Sequence, residues 1–146
     1  MNIIHCDVKP ENILISDEGN NKIKLIDFGS CCFQHENPTF YMQTRPYRAP
    51  ELILGCEYDT KIDIWSLGCV LLELYTGITV FECPTIQSIL AKIIAVCGPV
   101  PDWMIKTGKF TRKYFTKDFV LFHEIEMEAV TPYATKSPVK RSRIEL

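Results

Sequence analysis

The run His5-Cys6-Asp7-Val8-Lys9-Pro10-Glu11-Asn12 places a carboxylate, a lysine and an amide within six residues of one another. It is followed by Asp27-Phe28-Gly29 and then by Ala49-Pro50-Glu51. Asn12 and Asp27 are hard oxygen donors of the kind that suits Mg2+. Lys9 adds a compact positive charge close to Asp7, and Gly29 permits a sharp backbone turn directly after one of the oxygen donors. Asp and Asn also favour turns for local reasons. Turn preference, however, does not account for the joint spacing of all three motifs, whereas a lone Asp-Phe-Gly would mean little.

Such side chains need elements to hold them. Ile13-Leu14-Ile15-Ser16 and Lys22-Ile23-Lys24-Leu25-Ile26 flank the turn-rich Asp17-Glu18-Gly19-Asn20-Asn21, and the second run alternates polar and apolar as a half-buried strand does. A hairpin follows, and because a lone hairpin is marginal it should lie on something helical. Residues 30–50, punctuated by Pro38, Pro46 and Pro50, read as an irregular loop. From Asp59 or Thr60 as N-cap to Gly77, apolar residues cover nearly every face of a helix, which is expected of a helix buried inside a larger protein. Pro84 can open another helix that ends at Gly98-Pro99. Residues 100–135 read as short helical pieces and 136–146 as a basic flexible tail.

The chain has 146 residues, is 47% hydrophobic and 23% charged, and carries a net charge of −2. That profile excludes collagen-like, disordered and disulfide-scaffold classes. The tail holds four of the sixteen basic residues and one of the eighteen acidic ones, so no general attraction to nucleic acid or membrane is expected. No apolar run reaches the roughly 18 residues of a membrane span. The opening residues lack the features of a signal peptide, so a cytoplasmic or nuclear location is expected. Seven cysteines with no C-x-x-C pair read as reduced thiols, mostly buried, and not as a metal site. His35 and His123 have no partner pattern and read as surface residues.

In order, spacing and context the three motifs resemble the protein-kinase signature set. The fold this implies is α+β, a kinase-like C-terminal lobe that is mainly helical with a small β-hairpin. Residues 1–135 would form a partial kinase domain. Phosphoryl transfer asks a protein mainly for positioning and charge stabilisation. By resemblance, Asp7 would orient the substrate hydroxyl and accept its proton, Lys9 would neutralise charge on the phosphoryl group, and Asn12 and Asp27 would hold Mg2+ against the ATP phosphates. His5, Phe28, Gly29 and Glu51 would support the site. Asp63, in Asp63-Ile64-Trp65-Ser66-Leu67-Gly68, would hydrogen-bond the backbone around His5 and Cys6. Thr44 stands where Ser/Thr-type kinases carry a threonine contacting the aspartate and lysine.

Departures from the pattern point to a subgroup. Cys6 replaces the usual arginine and cannot hold a phosphate. In Tyr41-Met-Gln-Thr-Arg45-Pro-Tyr-Arg48, arginines lie four and seven residues after a tyrosine. This resembles the dual-specificity tyrosine-regulated kinases of the CMGC group, whose self-phosphorylated tyrosine is held by two such arginines. Asp-Phe-Gly-Ser-Cys-Cys-Phe and Arg112-Lys113-Tyr114-Phe115 fit the same group. Thr39, in place of a tyrosine, and Pro46, in place of an aromatic residue, depart from it.

The activity implied is transfer of the ATP γ-phosphate to protein Ser/Thr, or dual specificity, with Tyr41 a candidate self-modified site. The N-terminal lobe, with its Gly-rich loop, strand lysine and glutamate, is expected to be absent, as is a distant arginine that pairs with Glu51. The isolated chain is therefore expected to be inactive and to expose apolar surface. The alternatives are a non-catalytic docking or competitor module and a fragment without a function of its own.

Overall fold

A computed structural model of the chain describes residues 2–36, 41–125 and 140–143. Thr39 and Lys136 lie outside the described residues. The elements are β1 (Ile3–Ile4), β2 (Ile13–Asp17), β3 (Lys22–Leu25), β4 (Cys32–Phe33), α1 (Pro50–Leu54), α2 (Lys61–Thr76), α3 (Ile86–Cys97), α4 (Asp102–Thr107), α5 (Thr111–Tyr114), β5 (Phe122–Ile125) and β6 (Lys140–Arg143).

Turn chemistry makes the first hairpin. The Asp17 carboxylate accepts from the Gly19 N–H and the Asn20 amide, and Asn21 follows at φ 53°, a left-handed conformation that asparagine tolerates. β2 and β3 then pair antiparallel, with Ile13 opposite Leu25 and Ile15 opposite Ile23. The apolar face so formed is not covered by any helix among the described residues. Ile13 packs on the core, but Ile15 and Ile23 are about two-thirds exposed. The loop expected over 30–50 contains an unforeseen pairing of β4 with β1, in which Ile3 meets Phe33 and Ile4 meets Cys32. Strands of two residues carry no periodicity that a sequence reading could detect.

α2 starts after Asp59, whose carboxylate accepts from the Lys61 N–H at 2.8 Å, and it stops at Gly77 at φ 74°. Its inward side buries Ile62, Ser66, Cys69 and Val70, whereas Ile64, Leu71, Leu74 and Tyr75 are exposed. The all-round apolar pattern is thus only half buried by the described residues. α3 is capped by Thr85, which accepts from the Ser88 N–H, so Pro84 precedes the cap instead of sitting in the first turn.

Ile89, Leu90 and Ile93 of α3 pack with Leu54, Val70, Phe81, Tyr114, Phe115 and Leu121 in the main core. A smaller cluster of Ile4, Cys6, Ala49, Leu52 and Ile62 lies directly beneath the loop that carries Asp7. Gly55, at φ 72°, lets the Phe110 ring lie against its backbone, and Leu54 O accepts from the Phe110 N–H. Lys140–Arg143, in the stretch expected to be a tail, forms a strand antiparallel to β5, with Phe122 opposite Arg143; backbone pairing gives this polar run the partner it needs. Of the seven thiols, Cys6, Cys56 and Cys69 are buried, Cys31, Cys32 and Cys83 half-buried and Cys97 exposed, and none forms a disulfide.

Candidate active site

Asp63, in the first turn of α2, organises the loop below it. Its Oδ2 accepts from the His5 N–H at 2.6 Å and its Oδ1 from the Cys6 N–H at 3.0 Å. Both residues are buried, so the carboxylate satisfies donors that water cannot reach. Cys6 holds a left-handed φ of 65°, the bend that turns Asp7 outward. Its thiol lies 3.5 Å from Cys32 Sγ, and burial together with that neighbour pushes its pKa up, so it stays protonated. The His5 ring accepts from the Asp7 N–H at Nδ1 and donates from Nε2 to Ile26 O at 3.0 Å, which fixes its tautomer. The Phe28 ring stands edge-on to it at 5.0 Å.

Ile26 is clamped from both ends, since its N–H donates to Asn12 O at 2.9 Å. That clamp sets Asp27 beside Asn12. Asp27, not Gly29, makes the backbone reversal, at φ 61°. Gly29 gives its N–H to Asp27 Oδ1, and a Cβ on it would come within 3.2 Å of that oxygen. What the glycine offers here is room beside Asp27 and not a left-handed φ.

Both oxygens of Asp7 are occupied. Oδ1 accepts from the Thr44 hydroxyl at 2.7 Å and the Thr44 N–H at 3.3 Å, and Oδ2 accepts from Lys9 Nζ at 2.8 Å and Asn12 Nδ2 at 3.3 Å. Lys9 also donates to Thr44 Oγ1. Burial works to raise the Asp7 pKa, but the bonds from Lys9 and Thr44 outweigh it and hold the carboxyl below its ordinary value. The same pair raises Lys9. Asn12 spends its amide nitrogen on Asp7, and Asp27 Oδ1 takes Gly29. Asn12 Oδ1 and Asp27 Oδ2 have no hydrogen bond among the described residues. Both are hard oxygen donors of the chemistry that suits Mg2+.

The remaining residues singled out in the sequence divide between two other places. Tyr41 is 87% exposed and its ring lies 5.2 Å from the Arg48 guanidinium, whereas Arg45 reaches the Pro84 carbonyl at 3.4 Å. Arg48 itself grips the carbonyls of Met42 and Gln43. Glu51 lies at an apolar groove of about 860 Å3 that also takes in Trp65, Leu72, Tyr75 and Met104. Burial raises its pKa, its own N–H lowers it and Asp59 raises it further; no ion pair reaches it among the described residues. Next to Thr44, a second cavity of about 650 Å3 is lined by Glu11, Glu73 and Glu82. Glu73 is taken by the Tyr47 hydroxyl at 2.6 Å and Thr79 at 3.0 Å.

Sequence reasoning passed over Gln43 and Ser66. Both are buried polar residues inside motifs quoted for their neighbours, and nothing in their spacing marks them.

Residues 1–117 match the protein kinase domain family. Over 118 residues the chain is 46% identical to serine/threonine-protein kinase ppk15 of Schizosaccharomyces pombe, covering 81% of this chain and 22% of that protein. It is 50% identical over 113 residues to dual specificity tyrosine-phosphorylation-regulated kinase 3 of Mus musculus, covering 77% and 19%. With dual specificity protein kinase YAK1 of Saccharomyces cerevisiae it shares 47% over 115 residues, covering 79% and 14%. The chain therefore spans less than a quarter of the length of each of these relatives.

Proposed function

Because this chain belongs to the protein kinase family and is similar to its dual-specificity tyrosine-regulated members, we propose that it supplies the acceptor-positioning half of a kinase active site. In this reading it is part of a C-terminal lobe, within residues 1–135, that serves transfer of the ATP γ-phosphate to a protein Ser or Thr. The observation that carries the reading is the Asp7 carboxylate held by Thr44 on one oxygen and by Lys9 and Asn12 on the other.

The family uses ATP and Mg2+, and the ion, when bound, neutralises phosphate charge and orients the transferring group. Asn12 and Asp27 are the residues that would hold it. Asp7, kept ionised and aimed by its donors, receives the acceptor hydroxyl and its proton. Lys9, kept charged by Asp7, offsets negative charge on the phosphoryl oxygens. Thr44 ties the segment that receives the peptide to both. Glu11, Glu73 and Glu82 outnumber Arg45 in the lining of the cavity beside Thr44, a net negative balance that favours a basic side chain near the acceptor residue. Tyr41, exposed and set over Arg48, is the proposed self-modified site, where a phosphate would meet a guanidinium already held in place.

The Gly-rich loop and strand lysine of the family are not among these 146 residues, so the chain alone is proposed to be inactive. The test compares phosphate transfer from Mg-ATP to a peptide by the 146-residue chain, by the complete catalytic domain containing it, and by that domain carrying Asp7→Asn. Transfer by the complete domain only, lost by at least about 100-fold in the variant, is expected. Transfer by the short chain, or full activity of the variant, overturns the proposal.

A further inference from the structure

Gln43 is buried at 7% exposure and every polar atom of its side chain is used. Nε2 donates to Ile62 O at 2.9 Å and to Ser66 Oγ at 3.0 Å, both in α2, while Oε1 accepts from the Ala49 N–H at 2.8 Å. Ser66 in turn donates to Tyr47 O at 2.7 Å. The Gln43 carbonyl is gripped by Arg48. Its backbone sits at φ 63°, a conformation that glutamine adopts rarely and that persists only where the surroundings over-determine it. The next residue is Thr44, whose N–H and hydroxyl both go to Asp7 Oδ1.

The first turn of α2 thus reaches Asp7 by two routes. Asp63 holds the backbone just before it, and the Ile62 carbonyl, one residue earlier, holds Gln43 and through it Thr44. We propose that Gln43 is a positioning residue for phosphate transfer, one that aims Thr44 at Asp7 by closing segment 43–49 onto α2. This rests on the kinase reading above and assigns a role to a residue that touches neither substrate nor metal. A buried glutamine used only to fill space would have been served as well by an apolar residue, without three hydrogen bonds to satisfy.

The test is a double-mutant cycle in the complete catalytic domain. Gln43→Leu should lower kcat by roughly 10- to 100-fold, the range in which small misplacements of reacting groups act, with KM for ATP unchanged. Because Gln43 acts through Thr44, Gln43→Leu should cost under about 3-fold when added to Thr44→Val. Gln43→Asn, which is too short to reach Ala49 and α2 together, should give an intermediate loss with the same coupling and stands in if the leucine variant does not fold. Additive losses, or an unchanged kcat in either folded variant, overturn the inference. Asp7→Asn measured alongside separates this outcome from failure of the kinase reading, which would show as retained activity in that variant.

Discussion

Asp7 and Glu51 are both partly buried carboxylates in motifs quoted from the sequence, yet their surroundings are opposite. Asp7 has four donors from Lys9, Asn12 and Thr44 and its pKa lies below the ordinary value. Glu51 borders an apolar groove, meets no ion pair among the described residues, and is raised by burial. The difference shows which interactions this chain completes by itself. Every hydrogen bond to the Asp7 carboxylate comes from Lys9, Asn12 and Thr44. On the Glu51 side, α2 presents Ile64, Leu71, Leu72 and Tyr75 to the groove, and Trp65 keeps a buried Nε1–H without an acceptor among the described residues. One side is organised internally, and the other has the composition of an interior.

Removing the anchor of the organised side should have the largest effect. Asp63→Ala strips two charge-assisted hydrogen bonds from the buried N–H groups of His5 and Cys6. With hydrogen bonds to charged groups worth about 1.5–3 kcal/mol each, a loss of about 3–5 kcal/mol is expected in urea unfolding of the 146-residue chain. A loss below about 1 kcal/mol would mean that the loop is held by its packing on Ile62 and Leu52 and not by Asp63.

The opposite side should respond with the opposite sign. Folding raises the Glu51 pKa, so the folded chain holds a proton that the unfolded chain releases. Stability from this group is full below the ordinary glutamate range and is lost as pH rises through the raised value. Glu51→Gln should therefore flatten the fall in stability that sets in as pH rises above the ordinary glutamate range, and should stabilise the chain by about 1 kcal/mol once the carboxyl is ionised. In the complete catalytic domain, where the resemblance implies an arginine partner for Glu51, the same change should destabilise. Equal effects in both settings would break the contrast between the two carboxylates.

The sequence made the organised side legible because its chemistry is written in contiguous motifs. Asp7, Lys9, Asn12 and Thr44 share one set of hydrogen bonds and Asp63 holds the backbone of His5 and Cys6 just before them, and the β2–β3 turn follows from Asp17 and Asn21. What escaped depends on tertiary placement. The two-residue β1–β4 pairing has no pattern, and Gln43 looks like any polar loop residue until α2 is beside it. The left-handed backbone falls on Cys6, Asp27 and Gln43 and not on Gly29, because local hydrogen bonds and not side-chain size choose those conformations. The all-round apolar pattern of α2 is met on its inward side alone by the described residues, which leave Ile64, Leu71, Leu74 and Tyr75 exposed.

The smallest effect on stability should come from the outward face of α2. Leu74 is 71% exposed and Tyr75 is 90% exposed, so neither gains much from folding of this chain. Leu74→Gln should change the unfolding free energy by no more than about 0.5 kcal/mol, the usual range for surface positions. Contiguous exposed apolar residues nevertheless drive association once they cover several hundred Å2. The same substitution should thus reduce concentration-dependent self-association of the chain, measured by sedimentation, while its urea midpoint stays in place. If the midpoint falls by as much as it would for an inward residue such as Ile62, that face of α2 is buried in solution by this chain itself, and the asymmetry between the two sides disappears.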